Sequence, residues 1–305
     1  MKMPLRRPWR LLRSNIIVWC RYGTTKPTAI RLPGCDYLVE INPNDRRAQK
    51  MLIRDGARGK VSKATKIWRA LAAHLQPTLV IDVGLNYGEC MLGTTYGPDC
   101  RMIGFEANPG IFTLLERSIR HHPNHSQITL HNVLVSGVSG GSQPFFVDPD
   151  WSGTATAVRG LHNSPGVLVH ELAVSSLDDR IPVEASDSAR CLFKIDIEGY
   201  ESKAMAGFIR TLDACRVAVG LIEFDSHFLS VAGTDPAVFL SELQEVFDVY
   251  HATDLQGREL QEVRRLEDVP SPTKSDRRHT DLILVKRNTC ETGLFPPQFT
   301  IARAS

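Results

Sequence analysis

Three short segments of this 305-residue chain combine residue types that can do chemistry. The first is Val80-Ile81-Asp82-Val83-Gly84-Leu85-Asn86-Tyr87-Gly88. A β-branched run that ends in an acid and meets glycines predicts a buried strand, followed by a turn whose backbone comes close to a ligand. A helix from Gly88 towards Tyr96 would then offer free N–H groups to a carboxylate or phosphate. The pattern Asp-x-Gly-x-x-x-Gly is not the Gly-x-Gly-x-x-Gly of dinucleotide folds. An acid at that strand end repels a pyrophosphate and can hold an ammonium group, which favours S-adenosylmethionine over NAD. The second segment ends in Glu106, 24 residues after Asp82. A carboxylate at the end of a second strand (Arg101 to Phe105) can accept both hydroxyls of a ribose; otherwise it is a solvated loop acid. The third segment is Phe193-Lys194-Ile195-Asp196-Ile197-Glu198-Gly199-Tyr200-Glu201. Asp196 falls at a strand's C-terminal edge, where open α/β sheets place their ligands. Glu198 and Glu201 fall at a helix start, where acids also complement the helix dipole. Three carboxylates so close, with Lys194 nearby, exceed what capping needs.

The elements that must position these residues alternate strand with helix from Leu79 onward. Strands are expected at Leu79 to Ile81, Arg101 to Phe105, Ile128 to about Val135, Cys191 to Ile195, Val217 to Phe224, around Val249, and Leu282 to Val285. Helices carry Ile111, Leu114, Leu115 and Ile119, then Tyr200 to Thr211, then Asp235 to Val246. Alternation of this kind predicts an α/β fold with helices on both faces of a mostly parallel sheet. Between residues 136 and 187, glycine-punctuated apolar pieces predict a β-hairpin insertion instead. Upstream, residues 1–77 read as a basic arm with proline punctuation (Pro4, Pro8, Pro27, Pro33), a short strand from Tyr37 to Ile41 and a helix from Ala64 to Leu75. Residues 78–290 form the main domain and 291–305 a loose tail.

Composition is that of a globular protein, with 42% apolar and 23% charged residues. The net charge of +2 hides an asymmetry: residues 1–77 hold 17 Lys/Arg against 4 Asp/Glu, and the other 228 hold 19 against 30. Such an arm is a solvated lead-in or a weak contact for an anionic surface. Arg6, Arg7, Arg10 and Arg13 precede Asn15 to Cys20, an apolar run too short to span a bilayer and lacking a cleavage site for a signal peptide. A basic interfacial segment is the remaining membrane reading. Seven scattered cysteines, Cys290 among them, make no CxxC pair, which fits a reducing compartment and a soluble, cytoplasmic protein.

Taken together, Ile81 to Gly88, Gly104-Phe105-Glu106-Ala107-Asn108-Pro109, Lys194 to Glu201 and Leu221-Ile222-Glu223-Phe224 resemble the FkbM family of methyltransferases. Ser175-Leu177-Asp178 and Ser152-Gly153-Thr154 are similar to it as well. The resemblance covers about 210 residues, from Thr78 to Arg287. The chain departs from the family at Leu85, where Ala is common, and at Ala107, where Pro is. The resemblance implies a Rossmann-like class I methyltransferase fold, with a seven-stranded sheet whose last strand is antiparallel. It implies O-methylation of a hydroxyl on a sugar or other natural product, with S-adenosylmethionine as cofactor. By position Asp82, Gly84, Asn86 and Gly88 would line its methionine end, Glu106 its ribose, and Asn132 or Val133 its adenine.

An aliphatic hydroxyl needs a base or a metal to become nucleophilic. The candidates at the relevant strand ends are Asp196, Glu198, Glu223, Asp225 and His227. The expectation is that Asp196 or His227 accepts the proton and Glu223 shapes the pocket. A Mg²⁺ ion held by Asp196, Glu223 and Asp225 is the less favoured alternative. His121, His122 and His125 lack metal-spaced partners, and His162 and His170 lie in the insertion. An NAD(P)-dependent oxidoreductase is disfavoured by the missing fingerprint and Tyr-x-x-x-Lys pair. A nucleic-acid methyltransferase, suggested by the basic arm, would show an Asn-Pro-Pro-Tyr-type tetrad where Asp196-Ile197-Glu198-Gly199 stands.

Overall fold

The computed structural model describes residues 6–162, 166–182, 186–272, 276–287 and 293–302; Pro4 and Cys290 lie outside them. The lead-in comprises helix α1 (Arg6–Tyr22), an antiparallel pair β1 (Ala29–Arg31) and β2 (Leu38–Glu40), helix α2 (Arg46–Met51), a π-helical turn (Leu52–Ala57) and helix α3 (Lys63–Leu75). Ser62 caps α3 by accepting the Thr65 N–H at 3.0 Å. The arm has a packed structure after all. Val18, Ile30 and Leu32 are buried in one apolar cluster with Ile67, Trp68 and Leu71 of α3.

Then come β3 (Leu79–Val83), β4 (Arg101–Phe105), α4 (Pro109–Ile119), β5 (Ile128–His131) and β6 (Leu134–Val135). The insertion supplies β7 (Ser142–Asp148), β8 (Trp151–Thr156) and β9 (Leu168–Ser175), followed by a short helix α5 (Leu177–Arg180). The chain continues through β10 (Ser186–Ile195), α6 (Glu201–Ala206), α7 (Ile209–Ala214), β11 (Cys215–Asp225), α8 (Ser226–Val231) and α9 (Pro236–Val246). It ends with β12 (Phe247–Ala252), β13 (Glu259–Glu262), β14 (His279–Lys286) and β15 (Thr300–Ala302).

The main sheet has the order β15-β13-β12-β14-β11-β10-β3-β4-β5. Its inner seven strands are those expected, parallel except for β14, which runs antiparallel to β11 and β12. Alternate strand residues feed opposite faces, as the pleat requires. Val80, Leu192 and Leu221 join the cluster under α3 and α4, whereas Ile81, Phe193 and Ile222 join Phe208, Leu212 and Phe239 on the other side.

Four expectations need correction. The sheet has nine strands among the described residues, because β13 and β15 extend its edge; the tail thus contributes a strand parallel to β13. Residues 86–93 form a chain of turns, not a helix, since Asn86 and Gly88 take positive φ (50° and 75°). The strand expected from Ile128 to Val135 is two strands. Asn132 breaks it by donating its side-chain amide to the carbonyls of Glu106 and Ala107 (2.8 and 3.0 Å), and β6 departs to the insertion. The expected hairpin of the insertion is β7–β8, which β9 and the preceding β6 extend to a four-stranded sheet, β6-β9-β7-β8. The helix from Tyr200 to Thr211 is interrupted at Gly207, where a Cβ would lie 2.3 Å from the Ser136 carbonyl oxygen.

Candidate active site

The chain runs outward from β3 through β4 to β5, then crosses back to lay β10 on the other side of β3. At such a reversal the loops after adjacent strands diverge and leave a crevice at the strands' C-terminal ends. Here the crevice is a cleft of about 710 Å³, open solvent at its mouth included. Its walls hold Gly84 and Asn86 after β3, Glu106 after β4, Asp196 and Glu198 after β10, and Val133 before β6.

The turn after β3 is fixed by close packing. Gly84 has φ +78°, and a Cβ there would sit 2.0 Å from the Asp196 carbonyl oxygen. Glu106 is buried, and its two oxygens accept the N–H groups of Asn86 (2.7 Å) and Asn108 (2.8 Å). Those bonds leave lone pairs for further donors. Burial is the main reason its pKa rises to about 7, against the pull of both N–H groups.

Asp82 sits behind the cleft, 1% exposed, in an adjoining cavity that shares Arg47, Gly84, Asn86 and Asp196 with it. One Asp82 oxygen accepts the Met91 N–H at 3.3 Å; the other has no hydrogen-bond partner among the described residues. Burial pushes the Asp82 pKa up to about 6 although the Lys194 cation opposes it. Lys194 bonds Asp196 at 2.7 Å. Burial disfavours the ammonium, but Asp196 and Asp82 outweigh that and hold its pKa above the ordinary value; Lys194 in turn holds Asp196 below its own against the opposing effect of burial.

Glu198 occupies a left-handed conformation (φ +54°), uncommon for a residue with a side chain. Glu201 enforces it. This fully buried carboxylate accepts the N–H groups of Ile197 (3.0 Å) and Gly199 (3.2 Å), so it clamps the loop and does not merely offset the helix dipole. Carboxylate oxygens of Asp196, Glu198 and Glu223 lie within 4.8 Å of one another. Burial first, and the neighbouring acids second, push Glu198 and Glu223 well above the carboxylate range.

Other expected residues stand outside the cleft. His227, on α8, is solvent-exposed and Gly88 and Asn132 do not line the walls. Asp225 is turned away: it caps α8 and is bound by Arg277 and His279. Conversely, Arg47, Ser152 and Tyr200 line the cleft without having been foreseen as site residues. Arg47 arrives from α2, 35 residues before Asp82, and no local pattern marks it. Asp45 organises this wall. It accepts from Arg47 N (3.0 Å), Ser152 N (3.0 Å), Ser152 Oγ (2.6 Å) and Tyr87 Oη (2.6 Å), tying lead-in, turn and insertion together.

A mostly parallel sheet of this order, with its antiparallel strand between β11 and β12 and its cleft at the β3/β10 reversal, defines a class I methyltransferase fold. The family model described as the methyltransferase FkbM domain matches residues 82–252, and the chain belongs to that family. Curated proteins give no match. Among solved structures, the chain is similar to the methyltransferase FkbM from Methylobacillus flagellatus KT. Identity there is 15% and the TM-score 0.37; 68% of this chain and 44% of that one are covered. It is also similar to an O-methyltransferase from Bacillus cereus in complex with SAH (11% identity, TM-score 0.38, 73% and 79% covered). A third is the O-methyltransferase TomG from Streptomyces achromogenes in complex with SAM (12% identity, TM-score 0.37, 73% and 78% covered). The chain thus spans under half the length of the Methylobacillus protein.

Proposed function

We propose that this protein transfers the methyl group of S-adenosylmethionine to a hydroxyl of a small molecule such as a sugar or other natural product. The observation that carries the reading is the cleft at the β3/β10 reversal, with a buried, doubly hydrogen-bonded Glu106 at one end and an unpartnered Asp82 oxygen behind the other. These residues fit the cofactor's polar ends. Glu106 retains acceptor capacity for a ribose diol, Val133 offers apolar surface for a purine, and Asp82 lacks a donor that an ammonium would supply. Arg47, Gly84 and Asn86 stand between the two cavities, as a methionine moiety would require. When bound, the sulfonium supplies an electrophilic methyl, so the protein's remaining work is to align the acceptor, exclude water and take a proton.

For the proton, Glu198 is the base we favour. It lines the cleft, and burial together with the neighbouring acids raises its pKa above the ordinary carboxylate range, which makes it a stronger proton acceptor than a solvated carboxylate. Asp196, held ionised by Lys194, would orient the hydroxyl as an acceptor. A divalent ion held by Asp196, Glu198 and Glu223 is the second reading, favoured by their closeness. One assay separates these roles: SAH formation from SAM with a panel of hydroxylated sugars and natural products. Glu198→Gln should lower turnover by about 100-fold or more while sparing SAH affinity, and His227→Ala should leave it unchanged. Full activity of Glu198→Gln would remove it as the base. Loss of activity in EDTA, restored by Mg²⁺, would favour the metal reading.

A further inference from the structure

Helix α1 is partly buried and partly not. Val18 and Ser14 face inward against the π-helical turn Leu52–Ala57, and the Arg58 guanidinium reaches Ser14 Oγ at 3.5 Å. On the outward side, Leu12 (53% exposed), Ile16 (54%) and Trp19 (59%) follow one another at spacings of four and three. That spacing aligns them in one stripe along the helix. Three large apolar side chains on one solvent-facing stripe need a partner, since burying them is favourable and leaving them in water is not.

The charges around the stripe indicate which partner. The sequence of α1 holds Arg6, Arg7, Arg10, Arg13 and Arg21 and no acid. Arg13 is exposed beside the stripe, and Arg31, also exposed, follows where its backbone N–H meets Tyr22 Oη at 3.3 Å. A second copy of the chain would bring these like charges together. An anionic bilayer satisfies both features, because its acyl boundary takes the apolar stripe and its headgroups the guanidinium groups. Tryptophan is also the side chain that settles at a membrane–water interface. No helix among the described residues is long and apolar enough to cross a membrane, so α1 would lie on the surface and not span it.

We propose that α1 docks the protein on anionic lipid surfaces through Leu12, Ile16 and Trp19, with Arg13 at the headgroups. The same lead-in carries Arg47 into the cleft, so the docked helix and the active site belong to one packed unit. The proposal does not rest on methyl transfer.

Flotation of the full chain with lipid vesicles tests it. The protein should partition onto phosphatidylcholine vesicles that contain phosphatidylglycerol, and much less onto phosphatidylcholine alone. The triple variant Leu12→Ser, Ile16→Ser, Trp19→Ser should bind at least about tenfold more weakly. Arg13→Gln should bind about fivefold more weakly, and added salt should weaken the wild type. The triple variant's thermal midpoint should match the wild type, since the three side chains are solvated; if it falls, Arg13→Gln and the salt titration decide. Absence of wild-type partitioning, or a triple variant that floats like wild type, would overturn the proposal. A concentration-dependent dimer abolished by the triple variant, without vesicle binding, would overturn it in favour of a second copy.

Discussion

At the scale of single residues, the chemistry of the site comes from carboxylates placed where water is scarce. Glu106 illustrates the consequence. Its pKa near 7 means that the ionised form, the one that would accept both hydroxyls of a ribose in the proposed complex, is populated only as pH rises through that value. Affinity for S-adenosylhomocysteine should therefore climb between about pH 6 and about pH 8, approaching tenfold per pH unit on the acid side. The Glu106→Gln variant should bind weakly with a flatter profile. The sign for apo stability is opposite. A carboxylate whose folded pKa is raised contributes stability that is complete below its unfolded value and lost as pH rises through about 7. Calorimetry across that pH range checks the affinity; a profile that is flat in the wild type would mean that Glu106 does not hold the ligand. The place of Glu106 at the end of β4 was legible in the sequence; its burial was not, because a solvated loop acid fits the same local pattern. His227 was not: its position after Glu223 and Asp225 suggested the cleft, but the N-cap formed by Asp225 turns α8 so that the imidazole meets solvent.

Among elements, the strands β3, β4, β10, β11 and β14 announced themselves through short apolar runs, whose two faces are buried by the layers packed on either side of the sheet. The turns did so only in part. The glycine pattern after Asp82 marked a close approach at Gly84 but not its partner, Asp196, more than 100 residues away; the break at Gly207, forced by the Ser136 carbonyl, has no local signature. The wall of the cleft is likewise non-local. Asp45 caps α2 and also accepts from Tyr87 and Ser152, so one buried carboxylate joins three segments that sequence reading treated separately. Replacing Asp45 by Ala should cost about 3 kcal/mol or more, from a lost cap and unmet donors, visible as a lower urea midpoint. SAH binding should weaken with it, because the Ser152 hydroxyl that Asp45 anchors also accepts the Asn86 amide at 3.1 Å. A variant as stable as wild type would show that the lead-in is not held through this residue.

For the whole molecule, the division into a basic arm and an acidic body read from composition is a division of charge and not of packing. Val18, Ile30 and Trp68 share an apolar cluster with Val80 and Leu192 of the sheet, so the lead-in covers one face of the core and delivers Arg47 to the cleft. The order of the inner strands places that cleft at the β3/β10 reversal, which is where the account locates the cofactor. Isothermal titration calorimetry of the full chain with S-adenosylhomocysteine tests that location directly, with Glu106→Ala and Asp82→Ala alongside. The account predicts micromolar-range binding to the wild type, weakened by about tenfold or more in each variant, since each removes a charged partner of one end of the ligand. Absence of wild-type binding, or binding undiminished in both variants, would contradict it.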